Sequence, residues 1–183
     1  MNKWLVAALL TVGPVLWGGT GIAASNLPNV GEVAPAFKLA DQAGKLRSSD
    51  DFRGKWLVLY FYPRDDTPGC TEQACTFRDD MHKLTALGAE VVGISVDDSM
   101  SHAAFARKYS LPFPLLADDT GSVASSYGSM RSLAIVKFAQ RNTFLIDPNG
   151  RIAKVYLSVS TSKNSQEIID DLKLLTVMPK VTK

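Results

Sequence analysis

The chain has 183 residues, of which 46% are apolar and 21% charged, with a formal net charge of only +2. That length suits one ordinary domain with a real core, and the composition is globular rather than disordered. Lysines and arginines are scattered, without a basic block or a basic stripe interleaved with aromatics, so no nucleic-acid partner is indicated.

The N-terminus stands apart. Met1-Asn2-Lys3 precedes an apolar run from Trp4 to Trp17, and small residues follow from Gly18 to Ser25. A positive start, an apolar middle and a small-residue exit are the pattern of a secretory signal peptide. Ile22-x-Ala24 is the first cleavage candidate and Ser25 the next, which predicts a signal peptide over residues 1–24 and a single domain over residues 25–183. The alternative is an uncleaved anchor, but the run is broken at Gly13-Pro14 and is short for the ~20 residues a span needs. No cysteine lies near the exit to carry a lipid. The expected location is therefore the periplasm or an equivalent lumen, with a membrane tether only if the segment is retained.

Residues 25–31 form a polar lead-in, residues 34–39 alternate weakly as a strand, and Asp41-Gln42-Ala43-Gly44 reads as a turn. Residues 45–54 read as polar connection. The apolar run Trp56-Leu57-Val58-Leu59-Tyr60-Phe61-Tyr62 predicts a buried strand. A helix then starts at Thr67-Pro68, where Thr is a good N-cap and Pro suits the first helical position, and stops near Leu87-Gly88. Residues 89–96 are rich in β-branched residues and predict a second buried strand. Asp97-Asp98-Ser99 caps a helix over 100–109 with Ala103, Phe105, Ala106 and Tyr109 towards the core. Two prolines keep residues 111–116 extended. Asp118-Asp119-Thr120 starts a short helix to about Tyr127, and residues 129–140 read as a loop with some order. Residues 142–146 and 151–157 flank Asp147-Pro148-Asn149-Gly150 as a hairpin. Ser165 caps a last helix with Ile168, Ile169, Leu172 and Leu175 on one face. This order predicts an α/β sheet with helices on both sides.

The two cysteines of the chain are Cys70 and Cys75. Cys70 falls in the first turn of its helix, where unpaired N–H groups and the positive end of the helix dipole favour an anion. A thiol there loses its proton more readily, and thiolate is the reactive form. Cys75 sits about 140° around the helix and roughly 7.5 Å along it, so the Cα atoms are roughly 8–9 Å apart, beyond the ~7 Å a disulfide tolerates. If the two pair, the first turns must unwind. Cys70, Ala74, Phe77, Met81 and Leu84 share one face and Cys75 points away from it. That arrangement suits one thiol that is oxidised and a second that resolves it. A structural staple is the alternative in an exported protein, but so short a loop stabilises little.

Pro63-x-x-x-Thr67-x-x-Cys70 resembles the peroxiredoxin active-site signature. The longer string Thr67-Pro68-Gly69-Cys70-Thr71-x-x-Ala74-Cys75-x-Phe77-Arg78-Asp79 is similar to the peroxiredoxin Q, or bacterioferritin comigratory protein, subfamily. The similarity runs from about Val30 to about Leu175. It implies a thioredoxin-like fold, a central mixed sheet flanked by helices with peroxiredoxin insertions. It also implies a peroxidase that needs no cofactor or metal and acts on hydrogen peroxide and organic hydroperoxides. Cys70 would be the peroxidatic nucleophile and Cys75 the resolving thiol, joined in an intramolecular disulfide that a thioredoxin-like dithiol reduces. Thr67 would help orient the peroxide, with the Gly69 and Cys70 amides as further donors, and Pro63 would shield the nucleophile. Arg141-x-Thr143-Phe144-Leu145-Ile146-Asp147 is similar to the family's catalytic-arginine segment, which makes Arg141 the expected cation beside Cys70, with Arg64 and Arg78 as rivals. Gln73 stands where many relatives carry Glu. An intramolecular disulfide needs no second subunit, so a monomer is expected.

Other classes fit less well. Cys70 and Cys75 stand at the edge of zinc-ligand spacing, but His82 and His102 lack a matching pair spacing. A thiol–disulfide oxidoreductase would carry Cys-x-x-Cys, which is absent. A non-enzymatic binding module of the same fold would have no need of Cys70. No Walker loop, dinucleotide-binding glycine turn or serine nucleophile elbow is present.

Overall fold

The computed structural model describes residues 27–133 and 136–177; the expected signal peptide, residues 1–24, lies outside them. Nine strands and four α-helices run in the order β1(Lys38–Asp41), β2(Leu46–Ser48), β3(Trp56–Phe61), α1(Pro68–Ala86), β4(Ala89–Ser95), α2(Ser99–Tyr109), β5(Leu115–Ala117), α3(Ser122–Ser126), β6(Met130–Leu133), β7(Val136–Ala139), β8(Thr143–Ile146), β9(Ile152–Tyr156) and α4(Asn164–Val177) among the described residues.

Seven strands form one mixed sheet in the order β2-β1-β5-β4-β3-β8-β9. β3 lies inside it, parallel to β4 and antiparallel to β8, with Val58 opposite Val91 and Leu145. Both of its faces are covered, which is why its sequence is an unbroken apolar run. β3, β4 and β5 are successive parallel neighbours, and right-handed crossovers therefore carry α1 and α2 over the same face. Their buried residues Phe77, Leu84 and Phe105 join Val58, Tyr60 and the α4 residues Ile168, Ile169 and Leu172 in one core. Leu57, Leu59 and Phe61 point to the opposite face, into a second core with Phe37, Tyr127 and Phe144. The expected α/β sheet flanked by helices is thus present. Among the described residues no helix is long and apolar enough to cross a membrane.

Several boundaries differ from expectation. The first strand is Lys38–Asp41 rather than residues 34–39. The stretch read as polar connection holds β2 and a 3-10 turn, Ser49–Phe52, because Phe52 alone anchors it in the core. Residues 129–140 contain the antiparallel hairpin β6–β7. Ser165 does not cap α4; it lies inside the helix and donates to Asp80 Oδ2 at 2.7 Å. α3 begins at Ser122, and the buried Asp118 carboxylate accepts from the Val123 and Ala124 amides at 3.2 and 2.7 Å. On α2 the buried face is His102, Phe105 and Ala106, with Ala103 only half-buried.

Phe144 is a test of the second core. Its ring stands edge-on to Phe61 and Tyr127, with centroids 5.8 and 4.9 Å away. Phe144→Ala is expected to lower unfolding stability by about 3–5 kcal/mol, read from a denaturant titration. A loss below about 1 kcal/mol would contradict this packing.

Candidate active site

The site is built where β3 hands over to α1. Asp66 turns the chain with φ 56°, and Thr67 enters the helix from extended backbone, φ −87° and ψ 149°. Thr67 occupies the N-cap position, as expected, but its hydroxyl does not cap; it donates to the Arg64 carbonyl at 3.0 Å. The hydroxyl oxygen keeps its acceptor capacity. The Thr71 amide makes the bond back to the Thr67 carbonyl at 2.9 Å, so the Gly69 and Cys70 amides lie ahead of the ladder.

Cys70 is 1% exposed and packs with Tyr60, Tyr62, Ala74 and Phe77. Cys75 is half-buried, and both thiols are free. α1 is continuous through both of them, so they occupy the separated helical positions derived above.

Arg141 reaches this turn from the start of β8. A Cβ placed on Gly69 would lie 2.8 Å from Arg141 Nη2 and 3.3 Å from its Cζ, so the guanidinium rests directly against the turn that carries Cys70. Arg141 Nη1 donates to Gln73 Oε1 at 3.5 Å. Gln73 Nε2 donates in turn to Asn164 Oδ1 at 3.1 Å, and Thr143 Oγ1 donates to the same oxygen at 2.8 Å. Gln73 is uncharged, and among the described residues no carboxylate pairs with Arg141. Its positive charge is therefore left for an anion at the helix start.

Pro63 and Arg141 line one open cavity of about 280 Å³ with Phe138, Ala139, Gln140, Ser158 and Val159. The structure thus places Pro63 and Arg141 on one cavity wall and sets Arg141 against Gly69, the residue before Cys70, with Thr67 at the head of the helix; Cys70 itself is buried and does not line the cavity. The rival arginines are engaged elsewhere, Arg78 lying within reach of Cys75 rather than at the helix start. Arg64 is largely exposed, 3.8 Å from Asp97. Arg78 bonds Asp79 Oδ1 at 2.8 Å and the Tyr109 carbonyl at 2.7 Å, and the Asp79 carboxylate holds its pKa above the usual arginine value. His82 is exposed, and among the described residues no group of three His, Cys, Asp or Glu could hold a metal.

Sequence reasoning missed the polar support. Gln73 and Asn164 are fully buried, yet nothing in an amide's identity announces burial. It also missed His102, which is 0% exposed and 2.8 Å through Nδ1 from Asp65 Oδ2. A signal was available, because His102 precedes Phe105 and Ala106 by three and four positions and so shares their face.

Residues 30–155 match the family described as AhpC/TSA. The chain belongs to that family. Within it, the similarity is to peroxiredoxin Q. The chain is 45% identical over 147 residues to "Peroxiredoxin Q, chloroplastic" of Populus jackii, covering 80% of this chain and 68% of that protein. It is 44% identical over 147 residues to "Putative peroxiredoxin bcp" of Coxiella burnetii, covering 78% and 97%. Against the chloroplastic protein of Triticum aestivum it spans 62% of that protein's length. Among solved structures, peroxidoxin BcpB of Mycobacterium tuberculosis superposes with a TM-score of 0.77 at 33% identity, over 81% of this chain and 98% of that one. The fold is accordingly the thioredoxin-like fold of the peroxiredoxins, as expected.

Proposed function

We propose that this peroxiredoxin is a thiol-dependent peroxidase in which Cys70 attacks hydrogen peroxide or an organic hydroperoxide and Cys75 resolves the product. The observation that carries the reading is the Arg141 guanidinium against Gly69, at the helix start that presents Cys70. A cation, two free amides and the helix dipole converge where thiolate and a developing oxyanion would sit.

The steps balance as follows. The Cys70 thiolate takes one oxygen of the O–O bond; the S–O bond forms, the O–O bond breaks, and the leaving oxygen departs with a proton as water or alcohol. The Thr67 hydroxyl oxygen accepts from the peroxide, Gly69 and Cys70 amides and Arg141 hold its oxygens, and Pro63 keeps bulk water away. The Cys75 thiol then attacks the Cys70 sulfenic sulfur and releases water, leaving a Cys70–Cys75 disulfide. A thioredoxin-like dithiol reduces it, becoming a disulfide itself. This needs no second subunit, and a monomer is the working state.

The test is steady-state peroxide consumption with a thioredoxin-like donor present and absent. Sustained turnover is expected only with the donor; turnover independent of any dithiol would overturn the cycle. Gly69→Ala probes Arg141 separately. The added methyl displaces the guanidinium while alanine is the better helix former, so the peroxide rate constant is expected to fall about tenfold with no loss of melting temperature. An unchanged rate constant in stopped flow would remove Arg141 from its role.

We further infer that residues 1–24 direct export and are removed, placing the enzyme in the periplasm or an equivalent lumen. The support is the charge, apolar and small-residue order of that segment. N-terminal sequencing of the protein from fractionated cells is expected to begin at Ser25; an intact Met1 in the membrane fraction would instead mean an anchor.

A further inference from the structure

The buried cluster around Asp65 takes no part in the chemistry above, yet it sits two residues before Thr67. Asp65 Oδ1 accepts from Tyr62 Oη at 2.7 Å, and Oδ2 meets Ser101 Oγ at 2.7 Å and His102 Nδ1 at 2.8 Å. The Asp65 amide donates to Asp97 Oδ2 at 2.9 Å. Asp66 is fastened beside it, to Lys108 Nζ at 2.7 and 2.8 Å and to Tyr109 Oη at 2.7 Å. Ser101, His102, Lys108 and Tyr109 all belong to α2. Both carboxylates before the Cys70 turn are therefore tied to a neighbouring helix rather than to α1.

The tie fixes a bend. Asp66 has φ 56°, a left-handed conformation that aspartate adopts more readily than most non-glycine residues, and its carboxylate is held there by Lys108 and Tyr109. The chain that must move for Cys70 to reach Cys75 begins immediately after this bend. In the structure the bend is held, α1 is continuous from Pro68, and the two thiols occupy helical positions too far apart to bond.

We propose that Asp65, with Ser101 and His102, is a latch whose release opens the Cys70 turn, and that it sets the balance between disulfide closure and over-oxidation. The proposal rests on the reading of Cys70 and Cys75 as the reacting pair. A latched Cys70 sulfenic acid has two fates. It opens and is resolved by Cys75 with loss of water, or it meets a second peroxide, takes a second oxygen to become sulfinic acid, and releases water or alcohol. A weaker latch raises the open population, so it speeds the first fate and starves the second. The first reaction with peroxide belongs to the closed form and changes little while that form dominates.

Asp65→Asn removes the charge from this cluster while keeping its shape. Ser101→Ala removes one hydrogen bond and serves if the first variant folds poorly. Three quantities are read on the full chain: the rate of disulfide formation after one equivalent of hydrogen peroxide, the fraction of Cys70 over-oxidised per turnover, and hydrogen exchange of the amides of residues 71–75 in the reduced protein. For Asp65→Asn, disulfide formation and exchange are expected to rise about tenfold and over-oxidation to fall about tenfold; for Ser101→Ala the changes are about threefold. A merely structural role would lower melting temperature and peroxide reactivity without speeding resolution, and that result overturns the latch. So do variants with wild-type resolution and exchange. If the wild-type protein forms no disulfide at all, the underlying reading of the cysteines falls, and the latch with it.

Discussion

Cys70→Ser is expected to lower donor-dependent peroxide consumption by about a thousandfold or more, to the rate of buffer alone. The argument is chemical and positional. A serine hydroxyl is a far weaker acid than a thiol, and an alkoxide is not available to attack the O–O bond. The other cysteine cannot substitute from the same place, because Cys75 lies five residues further along the continuous helix α1, beyond the first turn and its free amides. The replacement is nearly isosteric in a tightly packed setting between Tyr60, Ala74 and Phe77, so the fold should hold. An unchanged melting curve beside lost turnover is therefore the expected pair of results. A variant that still turns over peroxide with the donor would show that Cys70 is not the nucleophile.

Cys75→Ser separates the two thiols. This variant is expected to consume about one equivalent of peroxide at the wild-type rate and then stall, with steady-state turnover on a thioredoxin-like donor about a hundredfold lower or less. The first step, as proposed, needs only the Cys70 turn and Arg141. The stalled species is a Cys70 sulfenic acid, trappable by a carbon nucleophile and open to a second oxidation. It stalls because Cys70 is buried, so a bulky protein dithiol cannot reach its sulfur as Cys75 can after the helix opens. Full multiple turnover would remove Cys75 from the resolving role.

The parts of this account readable from sequence are those in which one residue or one period carries the information. The β3 run is apolar because both sheet faces are covered. Pro68 and Gly88 bracket α1 because of their own backbone limits. The strand β2 was not readable: it is three residues long at the sheet edge and shows no buried alternation. The β6–β7 hairpin was missed for a similar reason, since Arg131, Ser132, Leu133, Val136 and Lys137 are all exposed and no period marks a ribbon with few core contacts. At the site, Cys70, Cys75, Pro63 and Thr67 were local features of one string. Arg141 came only through resemblance, because the β3–β8 pairing that brings it to Gly69 joins residues far apart in sequence. Gln73, Asn164 and the Asp65–His102 pair escaped, because buried polar groups are defined by partners distant in sequence.

The most direct measurement is the intact mass of the reduced protein after one equivalent of hydrogen peroxide. The account predicts a loss of two hydrogens, with peroxide consumed and both Cys70 and Cys75 closed to alkylation. An unchanged mass with peroxide remaining would contradict the peroxidase itself, and a gain of oxygen would leave Cys70 as nucleophile but deny Cys75 its part.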